Sequence, residues 1–371
     1  MPEDLGQMTD LSPEDRERLT LTGLEVEMKN RSGSFFQVDQ EIKQWKSLNE
    51  GVEVLPIAEA LRKYDWLSGY SWNLVKKDKD KYTQYVADQP EPRGFAIIAH
   101  KGSKTVYPLQ ACLFLARTPV QHVHNIIIAE EGAELHVISG CASASYTKTG
   151  SHIGVSEFYV GRGARITSTM IHNWGEQISV FPRSATRVEE DGVFISNYVC
   201  MQPVRKVQMA PSVELAGRNA VGRFSSIVVC TPGSFMDLGS VARLTAEGSS
   251  AELTTRAITT GGTIISRGMI EGASPDTRGH IECRGLILRD GVIHAIPEIK
   301  GSVVDTELSH EAAVGKIARE EIEYLMSRGL DEDVATATII RGFLDVKIAG
   351  LPEALQAQID AAIDSAEKSG F

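Results

Sequence analysis

For roughly 200 residues after Phe95 the chain shows almost no helical periodicity and is cut by glycines into short β-rich runs. Phe95-Ala96-Ile97-Ile98-Ala99, Ile126-Ile127-Ile128, Val193-Phe194-Ile195, Ile227-Val228-Val229 and Thr263-Ile264-Ile265 are examples. Turn glycines at Gly132, Gly163, Gly192, Gly222, Gly248 and Gly272 lie 31, 29, 30, 26 and 24 residues apart. A short phrase recurs with them, as Gly132-Ala133-Glu134-Leu135, Gly163-Ala164-Arg165-Ile166 and, shifted by two serines, Gly248-Ser249-Ser250-Ala251-Glu252-Leu253. One such interval is the length of one coil of a solenoid, and short strands without intervening helices point to a β-helix. A large antiparallel sandwich or barrel also alternates short strands with glycine turns, so spacing alone leaves both open. Either way the core is mainly β.

The flanks have a different texture. To residue 94 the segment mixes helical and irregular signals. Ser12-Pro13-Glu14-Asp15 predicts a helix start with Ser12 as cap, and Ile57 to Tyr64 spaces apolar residues at helical intervals. The charge run Lys76 to Lys81 reads as a solvated face or turn, and Pro90 and Pro92 mark a boundary. From Leu308 the tail reads as helical. Ile317 to Met326 is stopped by Gly329, and Asp331 caps a second helix with Val334, Ala337, Ile340 and Phe343 on one face. A third starts at Pro352, with Leu355, Ile359 and Ile363 aligned. The expected organisation is a mixed, helical segment 1–94, a β core 95–307 and a helical segment 308–371. Short amphipathic helices of this kind must pack on the β stack or on a partner.

A net charge of −11 argues against a general nucleic-acid binder. No stretch approaches the roughly 20 apolar residues of a membrane span, and the Met1-Pro2-Glu3-Asp4 start does not suit secretion, so a cytoplasmic protein is expected. Five cysteines, an odd number, read as free thiols and not as a disulfide framework. Cys283, His310 and Glu311 are soft or borderline metal ligands. With the last two opening a helix, they could hold iron or zinc if the fold brings the segments together. The plainer alternatives are a small buried hydrophobe for Cys283, a surface residue for His310 and a helix-N-terminal acid for Glu311. His122-Val123-His124 puts two imidazoles on one strand face with no third ligand near in sequence. No phosphate-binding loop is present, so nucleotide hydrolysis belongs to a partner.

The tail stretch Ser309-His310-Glu311-Ala312-Ala313-Val314-Gly315-Lys316 continues through Tyr324-Leu325-Met326-Ser327-Arg328-Gly329-Leu330 to Ile340-Arg341-Gly342-Phe343. Together with Pro108-Leu109-Gln110, Ser139-Gly140-Cys141, His172-Asn173-Trp174 and Gly279-His280-Ile281-Glu282-Cys283, it resembles the SufB/SufD family of iron–sulfur cluster assembly scaffolds. The resemblance covers most of the chain from about residue 95. It implies a right-handed parallel β-helix flanked by N- and C-terminal helical segments. It also implies a homodimer or a heterodimer with a SufD-like subunit, a SufC-type ABC ATPase bound through the C-terminal helices, and a nascent, labile iron–sulfur cluster at the scaffold interface. By the same resemblance Cys141 accepts sulfur from a donor protein, and Arg117, His172, Trp174 and Arg187 line its path through the β-helix. Core packing for Trp174 and a surface charge for Arg187 are the plainer alternatives. Cys283, Glu311 and His310 are the implied metal ligands. A SufD-type subunit lacks the cysteine at 283, so Cys283 with Glu311 favours the SufB type. Cluster nuclearity and flavin binding stay open.

The expected function is a non-enzymatic scaffold that receives sulfur and iron, builds a cluster and hands it to apoproteins. One alternative is a SufD-like structural subunit without its own cluster. A β-helix enzyme acting on polysaccharide is the other, and the aromatic content of 6% counts against it.

Overall fold

The repeat folds as a parallel β-solenoid of about eight turns, with helices at both ends, in a computed structural model that describes residues 7–25 and 30–344. The glycine spacing has a backbone cause. Each coil turns one corner through a residue in the left-handed region: Gly102, Gly132, Gly163, Asp191, Asn219, Gly248, Asp276 and Asp305 all have φ between 55 and 72°. These positions are 28 to 31 residues apart, a tighter period than the glycines alone indicate. Glycine enters this region without a Cβ penalty, and Asn and Asp are the residues that best tolerate it. Gly192, Gly222 and Gly272 have no positive φ and lie beside or within strands.

One sheet stacks the strands Leu109–Leu115, Glu134–Ser143, Arg165–Asn173, Val193–Cys200, Val221–Cys230, Ser250–Thr259, Thr277–Ile287 and Thr306–Gly315 in chain order, all parallel. A second sheet faces it and runs from Phe95–Ala99 through Val120–Ala129 and Gly150–Val160 towards Val292–Gly301. Alternate side chains of both fill the interior, among them Leu135, Ile166 and Phe194 in one stack. Each large apolar side chain buried this way stabilises the fold by roughly 1.5–3 kcal/mol.

The outer faces are covered by the flanks. Met8, Leu11, Leu19 and Leu24 pack on the first sheet near its start, and Ile340 and Leu344 near its end. Residues 57–87 cover the second sheet. There the fully buried Glu157 accepts hydrogen bonds from the backbone N–H groups of Trp72, Leu74 and Val75, and its carboxylate pairs with His124 Nε2 at 2.8 Å. The N-terminal segment contributes strands as well as helices. Gly33–Val38 adds to the first sheet and Glu41–Ser47 pairs antiparallel with it, while Val52–Pro56 pairs antiparallel with Phe95–Ala99 in the second sheet, and together they close that end. Asp80 caps the helix Lys81–Ala87 at the end of the charge run, and Ser12 Oγ accepts from Asp15 N at the start of Pro13–Thr20.

The C-terminal end differs from the sequence expectation. Leu308 to Gly315 is strand, with ten residues of Thr306–Gly315 laddered onto Thr277–Leu286, so His310 and Glu311 sit mid-strand and open no helix. Ten in-register ladder positions outweigh the weak local helix preference of Glu-Ala-Ala. Helices follow at Arg319–Ser327 and Glu332–Leu344. Gly329 ends the first at φ 96°, and Asp331 caps the second by accepting from Val334 N at 2.9 Å. The third helix expected from Pro352 lies outside the described residues. Thr306–Gly315 and Val292–Gly301 end their sheets with one edge unpaired among the described residues.

Candidate functional site

Parallel, in-register strands stack residues of equal rank into files. One inward file of the first sheet carries Cys141, His172, Cys200 and Val228. The file beside it carries Ser139, Met170, Tyr198, Ser226, Thr255 and Cys283. Cys141 and Cys283 therefore face one interior, separated by five strand spacings, about 24 Å.

At the Cys141 end the interior holds an enclosed cavity of about 60 Å³, lined in part by Cys141, His152, His172, Arg183, Asn197 and Tyr198. That is room for a few water-sized species. Burial pushes the Cys141 thiol up to about 12, so the resting side chain is protonated and unreactive. His172 Nδ1 lies 3.0 Å from the Tyr198 hydroxyl, and its Nε2 has no hydrogen-bond partner among the described residues. Trp174 sits between His152 and His172, with ring centroids 5.2 and 5.5 Å away, and its Nε1–H is likewise unpartnered. Burial lowers both imidazoles, His152 to about 3 and His172 well below its usual value, so both are neutral.

At the open end, Cys283 faces inward and takes a weak hydrogen bond from Ser266 Oγ, 3.8 Å from its Sγ. Burial raises this thiol, and the Ser266 contact opposes the rise. His310 is in register with the inward Ile281 and so shares the face of Cys283. Glu311 pairs with Glu282 on the outer face. There Arg256, Glu282, Arg284 and Glu311 form a ladder of ion pairs at 2.7–3.1 Å. Cys283 and Glu311 are thus on adjacent strands and opposite faces. No group of three His, Cys, Asp or Glu residues that could hold a metal is assembled within the described residues of one chain.

The structure brings Cys141, His172 and Trp174 together and leaves two expected path residues outside. Arg187 is on the outer face, paired with Glu189 and Glu214 at 2.8 and 2.9 Å. Arg117 is exposed at a corner, hydrogen-bonded to Tyr146. His122 and His124 do share one outer strand face, but His124 is committed to Glu157. His152, Tyr198, Arg183 and Ser266 were missed by sequence reasoning. His152, Tyr198 and Ser266 sit within strands with no motif around them, and only the exact coil period could have ranked them in inward files, while Arg183 starts the strand Arg183–Val188 on the outer face, where it pairs with Asp80.

The profile described as "SUF system FeS cluster assembly, SufBD core domain" matches residues 114–343. A protein of Archaeoglobus fulgidus named "Iron-sulfur cluster assembly SufBD family protein" is 48% identical over 355 residues, 95% of each chain. One of the same name from Methanothermobacter thermautotrophicus is 43% identical over 372 residues, covering 99% of this chain and 91% of its own. A Staphylococcus aureus relative is 32% identical over 265 residues, 70% of this chain and 57% of its own. With the two-thiol interior of a parallel solenoid, these matches show that the chain belongs to the SufBD family of iron–sulfur cluster assembly proteins.

Proposed function

We propose that this chain is a SufB-like scaffold that accepts sulfur at Cys141, passes it through the solenoid to Cys283, and there assembles a labile iron–sulfur cluster for delivery to apoproteins. The observation that carries this reading is the shared interior of the two thiols, with polar side chains between them on two adjacent files, His172 on the file of Cys141 and Tyr198, Ser226 and Thr255 on that of Cys283. Overall the transfer is an exchange. Cys141–S–SH and Cys283–SH become Cys141–SH and Cys283–S–SH, with no net oxidation. Neutral His172, beside Cys141 in the file and with a free Nε2, can accept a hydrogen bond from a persulfide on that thiol.

The cluster is cargo, and the donors of one chain are too few to hold it. Cys283 and His310 at the open end would be doubled by a second copy, or supplemented by a SufD-like partner, joined there. Two features support such pairing. Each terminal strand has one edge unpaired among the described residues, and Val292, Ile299, Val304 and Val314 on the last coil are exposed. Weak, incomplete ligation suits a cluster that must leave again. ATP hydrolysis falls to a SufC-type partner docked on the C-terminal helices, where Tyr324, Met326 and Val334 are exposed. The chain itself is then a scaffold and no enzyme, working in the cytoplasm; no described helix is long and apolar enough to cross a membrane.

The test is anaerobic reconstitution with iron and sulfide, read by Mössbauer spectroscopy and bound iron per dimer. Wild type is compared with Cys283→Ser, His310→Ala and Glu311→Ala. Loss of iron in Cys283→Ser with the oligomer intact is the expected result. Equal iron in all four proteins would remove the ligand assignment.

A further inference from the structure

Cys141 must be reached to accept sulfur, yet it is 1% exposed. The interior beside it is closed by a corner two residues on, built from the loops 116–119, 144–149 and 174–177. An N-terminal strap pins this corner from outside. Asp15 Oδ1 accepts from Ser145 N at 2.7 Å, Asn173 Nδ2 donates to Arg18 O at 3.0 Å, and Arg18 Nη1 reaches Ser143 O at 3.5 Å. Thr22 and Leu24 lie directly on Gly140, where a Cβ would meet Leu24 Cδ1 at 2.5 Å and clash with Thr22 Oγ1. The pins thus land on the strand of Cys141, on the loop after it and on the end of the His172 strand.

The hold is both polar and apolar. Met8, Leu11, Leu19 and Leu24 are buried on the first sheet, while the helix Pro13–Thr20 itself buries only Asp15 and Leu19, so its hydrogen bonds to the corner are the part of the strap that can open locally. Resting on the reading of Cys141 as sulfur acceptor, we infer that residues 8–24 form a latch: released, it frees the corner and opens Cys141 to a sulfur donor; seated, it seals the loaded interior from solvent. The latch gives the N-terminal segment a role in the timing of sulfur entry, at the far end of the solenoid from Cys283.

Alkylation of the intact protein by iodoacetamide, read cysteine by cysteine by mass spectrometry, tests this. Cys112 belongs to the outer cluster under Leu19 and Leu24 and reports lifting of the strap. Cys141 reports opening of the interior, and Cys200 and Cys230, further along the solenoid, report general loosening. Asp15→Ala and Asn173→Ala each remove one pin. Either should raise the rates at both Cys112 and Cys141 about tenfold, with Cys200 and Cys230 unchanged. A rise at Cys112 alone would make the strap a cover with no hold on the interior and overturn the latch. An equal rise at all four thiols, or no change in either variant, would overturn it too. Persulfide loading of the same variants from a small-molecule persulfide reads the acceptor separately. If Cys141 alkylates faster but takes up no sulfur, the latch stands and the acceptor reading falls.

Discussion

The buried imidazoles His152 and His172 should make this protein lose stability as pH falls from 6.5, before most carboxylates protonate. Both are held neutral by burial, His152 at about 3 and His172 well below its usual value. Their folded values lie below the unfolded value near 6.5, so the unfolded chain binds the extra protons. The stability they contribute is therefore complete above about pH 6.5 and drains as pH drops. Each group costs about 1.4 kcal/mol per pH unit, so two groups over the 1.5 units to pH 5 cost about 4 kcal/mol. Neither side chain is more than 3% exposed, so solvent screening takes little from this figure. Urea unfolding at pH 7.5 and pH 5.0, for wild type and a His152→Gln/His172→Gln double variant, isolates the pair. His122 also titrates low, because burial disfavours its charge, but it is present in both proteins and cancels. The double variant should lose about 4 kcal/mol less than wild type between the two pH values. An equal loss would show that the interior is wet enough to stabilise the imidazolium, and would refute the closed cavity.

Other consequences are as direct. Glu157→Gln turns one acceptor oxygen into an amide facing N–H donors, costing roughly 2–4 kcal/mol of local stability. Hydrogen exchange at Trp72, Leu74 and Val75 should quicken by roughly 30- to 1,000-fold, and a change under about threefold would show that apolar contacts alone hold residues 57–87. Gly140→Ala should lift Thr22 and Leu24 at a cost of roughly 1–3 kcal/mol, seen as faster proteolysis in the strap. Val304→Lys, at a position 83% exposed, should leave the unfolding midpoint unchanged and weaken self-association. Sedimentation at equal concentrations decides, and an unaltered oligomer would move the interface away from the open end.

How much of this was legible in the sequence depends on what each residue owes to its neighbours. Turn glycines gave the solenoid because a left-handed corner recurs once per coil, and three of the corners are the very glycines counted: Gly132, Gly163 and Gly248. Of the other five corners, one uses Gly102 and four use Asp191, Asn219, Asp276 and Asp305, whose short polar side chains adopt the same backbone without announcing it. Helix signals carried by caps were read correctly at Ser12 and Asp331, where one side chain meets one N–H three residues on. Leu308 to Gly315 misled because its strand state comes from a ladder to residues about 29 positions earlier, which local preference cannot report. Arg187 failed as an interior residue for the same reason, since which face a strand residue takes changes with every step of register, and Arg117 lies off the strands, at a corner.

That dependence on register also explains how two thiols so distant in sequence come to share one interior. Cys283 follows Cys141 by 142 residues, and no motif connects them. The ladder does. Cys141 pairs with His172, then Cys200, Val228, Ala257 and Gly285, five steps of 31, 28, 28, 29 and 28 residues. Cys283 stands two residues before the end of that walk, which keeps it on the inward face and moves it one file along. An offset of one residue would have put its thiol outside with Glu282. A solenoid therefore converts a coil length into an alignment of chemistry, and inserting or deleting one residue in any strand between Cys141 and Cys283 should break the file. A one-residue insertion at a corner should be absorbed there, because the loop lies outside the ladder. Paired insertions after Ser226 and after Gly233, each scored for sulfur reaching Cys283, distinguish the two. Loss in the first with retention in the second would tie transfer to the inward file, and equal activity in both would show that sulfur reaches Cys283 by another route.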